Sequence, residues 1–408
     1  MYNLGIYLLS LILKILALFN SKIKLGVDGR KQTFDILKKY IDKNDSTIWF
    51  HCSSLGEYEQ GLPVFEKLRD QYPLHKIILS FFSPSGYEIR KNTTVADVVV
   101  YLPIDTKFNA KRFIDLIHPE FTVFVKYDIW ANLLFELKNQ NRRTILISAL
   151  FRKNQSYFKF YGNRLRKALF TFEHIFVQDN NSKILLNNIS YTAVTVSGDT
   201  RYDRVSNQLE QNNQLDFISE FKSNSTCIVI GSSWEADEAL LIPYINKTAT
   251  KNLKFIIAPH EVNTHHINSI SSKLSASTIL FSKKNSKNLE DFNVLIIDTI
   301  GLLSKIYSYA DIAYVGGAMG KTGLHNILEP STFGIPVIIG KNYKKFPEAF
   351  AMIKDAGVIS ITNDKDLHQT LNTLITSNAK RDSLGNKNLE FIKESKGAVV
   401  QIMDYIRI

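Results

Sequence analysis

Cysteine is nearly absent from this 408-residue chain: Cys52 and Cys227 are its two, with no Cys-x-x-Cys pair and no zinc-ligand spacing. A disulfide-stapled extracellular fold is therefore excluded, and a reducing compartment fits. Long uninterrupted apolar runs are also missing, which excludes a polytopic membrane protein. The nearest approach is Tyr2 to Phe19, broken by Asn3, Ser10 and Lys14. It has no positive segment before it and no small-residue cleavage site after it, so it does not read as a secretory signal. The residues read as an uncleaved anchor that spans the bilayer or lies in its interface, or else as a buried amphipathic first helix. Lys22 and Lys24 beyond it would hold the body on the cytoplasmic side. Acidic residues are in deficit, 39 against 50 basic ones, leaving a charge of +11. That balance favours an anionic partner such as nucleic acid, an anionic membrane or a phosphorylated substrate. No RNP-type, zinc or helix-turn-helix signature accompanies it, so nucleic acid is not expected.

What is present is an ordinary globular composition, 45% hydrophobic and 22% charged, enough for two or three domains. Short β-branched or aromatic runs alternate with helix-length segments. The first series is STIWFHC, KIILSFF, ADVVVYL, FTVFVKY, RRTILISA and HIFVQD; the second is CIVIGSS, KFIIAPH, STILFS, NVLIID, DIAYVGG and PVIIGK. Nearly continuous apolar character predicts buried parallel strands in βαβ units. The expected fold class is α/β with two Rossmann-like, doubly wound domains. The expected limits are an anchor over 1–21, a first domain over 22–205, a polar linker over 206–225, and a second domain with terminal helices over 226–408.

In open parallel sheets ligands bind beyond the carboxyl ends of the strands, which directs attention to the residues after each run. After the first come Ser53, Ser54, Gly56 and Glu57. A carboxylate there can serve as a general base toward an acceptor hydroxyl, or it can cap the next helix; Ser53 and Ser54 are equally open to a capping role. Gly231-Ser232-Ser233-Trp234-Glu235 reads as a small-residue turn entering a helix, a place for phosphate. Pro259 and His260 follow the next strand, and Ile300, Gly301 and Leu302 stand where backbone groups meet a base or sugar. The glycines 316, 317, 320 and 323 permit close approach to an anion. Glu329, three residues after Asn326, can accept two ribose hydroxyls. His265 and His266 have no carboxylate or thiol in register, so no metal is expected.

These segments, in order, resemble the 3-deoxy-D-manno-octulosonic acid (Kdo) transferases of lipopolysaccharide synthesis. The resemblance runs through WFHCSSLGE, YLPIDTKFNAKRFIDLIHPEF, IWAN, VSGDTRYD, GSSWEADE, IAPHE, IDTIGLLSKIYSYADIAYVGG and GLHNILEPSTFGIPVIIG. It implies a GT-B-type inverting glycosyltransferase at the cytoplasmic face of the inner membrane. CMP-Kdo would be donor and a lipid A precursor, lipid IVA, acceptor, with no further cofactor. A transferase for another nucleotide sugar, or a noncatalytic membrane-anchored nucleotide-sugar-binding protein, stands as the alternative.

Carried over by position, Glu57 matches the family's catalytic base. Pro259, His260, Ile300 to Leu302, and Asn326, Ile327, Leu328 and Glu329 match its CMP-binding positions. Arg201 stands where a lysine is usual, keeping the charge but not the point geometry. Where many members have Glu-Thr-Glu, this chain has Lys126-Tyr127-Asp128, so a cation replaces the first carboxylate while Asp128 keeps the second. His260 replaces a usual arginine, which makes a phosphate clamp dependent on protonation. Ser53, Ser54, Gly56, Lys126, Ser232 and Ser233 complete the candidates as phosphate or acceptor contacts.

Overall fold

A computed structural model describes residues 2–407. Two compact units divide the chain. The first runs through Arg204 and takes the chain back from Lys396, and the second is Val205–Ser395.

The first unit is built on seven strands: β1 (Thr47–Cys52), β2 (Lys76–Phe81), β3 (Val98–Tyr101), β4 (Phe121–Val125), β5 (Arg143–Ala149), β6 (His174–Val177) and β7 (Val194–Val196). Their order is β3-β2-β1-β4-β5-β6-β7, with every pairing parallel. Strand residues alternate between two cores. On one face Trp49 lies edge-on to Phe113 and Phe124, with centroids 5.1 and 5.2 Å away. On the other, Phe50 stacks on Phe65 at 4.1 Å. Burial on both faces is why the runs read as continuous apolar stretches. The strand order reverses between β1 and β4, so this unit's ligand crevice is expected at their carboxyl ends.

The second unit repeats the plan with β8 (Thr226–Ser233), β9 (Leu253–Pro259), β10 (Thr278–Leu280), β11 (Val294–Ile296), β12 (Ile312–Val315), β13 (Val337–Ile339) and β14 (Val358–Ser360). The order is β10-β11-β9-β8-β12-β13-β14, again all parallel, and it reverses between β8 and β12. The α/β, doubly wound reading is confirmed for both units.

Three boundaries need correction. The stretch 206–225, expected as linker, contains the helix Asp216–Lys222, which buries Ile218 and Phe221 in the second unit. Lys222 pairs there with Asp311 at 2.9 Å. The last residues do not belong to the second domain: the helix Ala398–Tyr405 places Val399, Ile402 and Ile406 in the core that holds Phe50 and Tyr58. Tyr405 donates from its hydroxyl to Glu173 at 2.9 Å. The third correction concerns the anchor. Its helix is Tyr2–Leu16, 15 residues, or about 22 Å at the α-helical rise, short of the roughly 30 Å hydrocarbon core. Among the described residues no helix is long and apolar enough to cross a membrane. Nor is it a buried first helix: Leu4, Tyr7, Leu8, Leu11, Ile12, Ile15, Leu18 and Phe19 are exposed. Its start is fastened to the body, Tyr2 donating to Asp105 at 2.6 Å and Asn132 to Asn3 at 3.0 Å.

Candidate functional site

At the carboxyl end of β1 the chain turns into the helix Leu55–Gln71, whose N-cap is Ser54. Glu57 sits at the third position of this helix, where its Oε2 accepts from the Ser54 amide at 2.8 Å and the Ser54 hydroxyl at 3.1 Å. The capping geometry foreseen as one reading is therefore present. It uses one carboxylate oxygen only; among the described residues Oε1 accepts no hydrogen bond. Burial pushes the Glu57 carboxyl above its ordinary value, and the charge of Asp128 adds to the rise. Lys126 acts in the opposite sense and partly offsets it.

Asp128 arrives from the carboxyl end of β4, the other side of the reversal. Ser53 donates its hydroxyl to Asp128 Oδ2, and His51 Nε2 lies 3.2 Å from the same oxygen. His51 is fully buried. Trp130 Nε1 donates to its Nε2 at 3.0 Å, and its Nδ1 is 2.8 Å from Ser80 Oγ, which also accepts from Trp49 Nε1 at 2.8 Å. Because indole nitrogen only donates, the proton of His51 belongs on Nδ1. Lys126 adopts a left-handed backbone, φ 73°, and so does Ser148 at φ 51° on the neighbouring strand, conformations that non-glycine residues hold at a cost of about 1–3 kcal/mol. Ser148 Oγ meets Thr200 Oγ1 at 2.8 Å, and Thr200 donates to the Gln60 carbonyl of the helix carrying Glu57. This fixes the next residue, Arg201, whose guanidinium bonds Asp199 Oδ2 at 2.9 and 2.7 Å. Glu57, Asp128, Ser53, Ser54 and Lys126 thus converge, with Gly56 in the same turn.

In the second unit the expected turn at Gly231 to Ser233 is instead the end of β8, with an irregularity at Ser232, φ 53°. Ser233 is buried and spends its hydroxyl on Glu238 at 2.8 Å, where His266 also bonds at 3.0 Å. Both serines therefore belong to a strand end, and Ser233 is already engaged. The helix bearing Glu329 opens at Leu328 and ends at Thr332. Asn326 joins Glu329, donating to its Oε1 at 3.0 Å, and Ser304 donates to Oε2 at 3.1 Å. Pro259 closes β9, and Ile300 is 83% exposed beside Gly301 at φ 91°.

His260 forms one stack with Trp234 (4.6 Å between ring centres) and His325 (4.4 Å). Trp234 Nε1 donates to His325 Nε2 at 2.8 Å, leaving the His325 proton on Nδ1. Burial, and then the charge of His260, pushes His325 down to about 4. Burial lowers His260 as well, so both rings are uncharged at neutral pH.

Sequence reasoning gave no role to Trp234, His325, Asp237 or His51. Asp237 is fully buried and accepts from the Trp234 amide at 3.0 Å, the Gly317 amide at 2.8 Å and the Tyr314 hydroxyl at 2.8 Å. It thereby holds the glycine-rich loop on the sheet. Gly317 has φ 95°, and a Cβ there would collide with the Gly323 carbonyl. The acidic run WEADE was the available signal: a carboxylate three residues past an N-cap is a capping-box position. Among the described residues no group of three or more His, Cys, Asp or Glu side chains is placed to hold a metal ion.

Residues 28–204 match the family model described as 3-Deoxy-D-manno-octulosonic-acid transferase (kdotransferase). The chain is 28% identical over 373 residues to the 3-deoxy-D-manno-octulosonic acid transferase of Haemophilus influenzae, covering 88% of this chain and 86% of that one. Among solved structures, UDP-GlcNAc 2-epimerase from Neisseria meningitidis aligns with a TM-score of 0.61 at 16% identity, over 88% of this chain and 98% of that chain. MurG of Acinetobacter baumannii aligns with a TM-score of 0.54 at 11% identity, over 89% and 99%. These likenesses establish a GT-B-like fold.

Proposed function

The chain belongs to the Kdo transferase family, and from that premise we propose that it moves Kdo from CMP-Kdo to a primary hydroxyl of a lipid A precursor, lipid IVA, with Glu57 as general base. The observation that carries this reading is the Glu57 carboxylate: buried, raised by Asp128, held through Oε2 and with Oε1 unengaged. A raised carboxylate that is fixed in place and still has an acceptor oxygen is suited to proton removal near neutral pH. Glu57 takes the hydroxyl proton, the acceptor oxygen attacks the anomeric carbon of Kdo, and CMP departs with the electrons of the broken carbon–oxygen bond. Direct displacement inverts the configuration at that carbon.

The second unit supplies the donor contacts. Asn326 and Glu329 are placed for the ribose, Ile300 to Leu302 for the base, and the glycine-rich loop offers amides to the phosphate. His260 and His325 present neutral rings beside it. Leaving-group charge is met by these amides and by basic side chains including Arg201, without a metal. The exposed apolar face of the helix Tyr2–Leu16 is suited to lie in the interface of the cytoplasmic leaflet of the inner membrane, where anionic lipids would attract a chain of charge +11.

The test is incubation of purified protein with CMP-Kdo and lipid IVA, with products resolved by mass. Products heavier by one or more Kdo units are expected. An unmodified acceptor alongside transfer from a different sugar nucleotide would replace this reading with another GT-B activity.

A further inference from the structure

The apolar run at the start of the chain is broken by Asn3, Ser10 and Lys14. Their spacing puts all three on one edge of the helix Tyr2–Leu16, between its exposed leucines and the body. Asn3 is spent on Asn132. Ser10 and Lys14 instead line an open groove of about 230 Å³ between this helix, the helix Ser21–Tyr40 and the loop after β3. Leu13, Val27, Phe34 and Ile104 form its apolar side, and Lys14 and Arg30 its basic one. The groove lies by an edge strand, with β2 between β3 and β1, and shares no lining residue with the Glu57 site or with the second unit.

Arg30 is the group that the fold leaves unbalanced. Each of its nitrogens donates to a backbone carbonyl, Nε to Leu102 at 3.1 Å, Nη1 to Gly26 at 2.7 Å and Nη2 to Phe82, and each terminal nitrogen keeps a second N–H. Carbonyls bring no countercharge, and no carboxylate pairs with Arg30 among the described residues. Asp28, on the same helix, is taken by Lys31 at 2.7 Å. Burial pushes the Arg30 guanidinium down to about 10. A cation in that state gains from an anion that reaches its free N–H groups.

A ligand of this groove is therefore anionic at one end and apolar along the rest. The volume is below the roughly 300–1,000 Å³ of sites that enclose a whole small molecule, which suits one acyl chain with the rest of the lipid left in the bilayer. On the far side of the helix Leu4, Leu8, Leu11 and Ile15 are exposed, so a helix lying in the interface brings lipid to the mouth of the groove. We propose that the groove binds one anionic phospholipid of the bilayer, its phosphate against Arg30 and Lys14 and one chain along Leu13, Val27, Phe34 and Ile104. This rests on the interfacial placement of the helix given under the proposed function.

The experiment is photolabelling of the full chain by phosphatidylglycerol with a diazirine on one acyl chain, in phosphatidylcholine vesicles, mapped by peptide mass spectrometry. Label is expected at Leu13, Val27, Phe34 or Ile104, and unlabelled phosphatidylglycerol should compete about tenfold better than phosphatidylcholine, the worth of one charged hydrogen bond. Val27→Trp, which fills the groove, should cut this label at least fivefold while flotation with anionic vesicles and turnover of detergent-solubilised acceptor stay within twofold. Arg30→Gln should keep the label and lose the preference for phosphatidylglycerol. Label confined to Leu4, Leu8 and Leu11, equal competition by phosphatidylcholine, or an unchanged pattern in Val27→Trp overturns the proposal. Stronger competition by lipid IVA than by phosphatidylglycerol also overturns it and gives the groove to the acceptor. A chain that does not float with vesicles yet takes the groove label from a monomeric short-chain phosphatidylglycerol probe separates the two claims: the groove stands and the interfacial placement falls.

Discussion

The carboxyl edges of the two sheets share a topology and differ in chemistry. At the β1–β4 reversal, carboxylates stand close together: burial, and then the charge of Asp128, raises Glu57, and hydrogen bonds from Ser53 and Ser54 hold the pair. At the β8–β12 reversal the buried carboxylate Asp237 is turned inward to backbone and phenol donors, and the outward face carries neutral rings, glycines and lysines. One edge stores a tuned proton acceptor, while the other offers donors to an anion. On the proposed function, a duplicated architecture divides labour, proton transfer in the first unit and donor binding in the second.

That division can be broken most decisively by Glu57→Gln. It should lower kcat/KM at least 10²-fold, as expected for a general base, while CMP affinity stays within a few-fold by calorimetry. The matching change in the other unit, Glu329→Gln, should raise donor KM about tenfold and spare kcat at saturation; a kcat loss as large as that of Glu57→Gln would dissolve the contrast. Asp237→Asn tests whether the second edge depends on its inward carboxylate. Leaving its three donors imperfectly matched should cost about 1–3 kcal/mol, seen as a lower Tm, with weaker CMP binding.

His260→Arg sharpens the account of the donor edge. Because burial lowers the His260 pKa, wild-type donor affinity should rise as pH falls through that lowered value, when the imidazolium forms. The arginine variant should bind several-fold tighter at pH 7.5 and lose that dependence. The smallest effect on chemistry is expected from Leu8→Glu with Leu11→Glu on the exposed helix face. Turnover of detergent-solubilised acceptor should stay within twofold while flotation with anionic vesicles is lost.

Much of this was legible from the sequence because parallel strands buried on both faces announce themselves as apolar runs, and loops after such runs hold the ligands. Glu57, Asn326 and Glu329 were found that way. The edge strands β7 and β14 were not, since each is short and buries only its first residue. The return of the helix Ala398–Tyr405 to the first unit was equally hidden: its amphipathic pattern says that one face is covered but not by which core. His51, Trp234 and Asp237 act through partners distant in sequence, 79 and 91 and 80 residues away for Trp130, His325 and Gly317, and no local spacing signals such pairs. Asp105 is the intermediate case. It stood inside a recognised motif, yet only the fold shows it capping the helix Ala131–Asn139 through the Asn132 and Leu133 amides, with burial pushing its carboxyl up to about 6.

The claim that the first unit tunes a proton acceptor is tested most directly by the pH dependence of kcat/KM for Asp128→Asn against the wild type. Transfer needs Glu57 deprotonated, so the rate should climb with pH through the raised Glu57 value. Removing the Asp128 charge takes away one cause of that rise, and the acid limb should move to lower pH. An acid limb that stays in place in the folded variant, or moves to higher pH, would contradict the account.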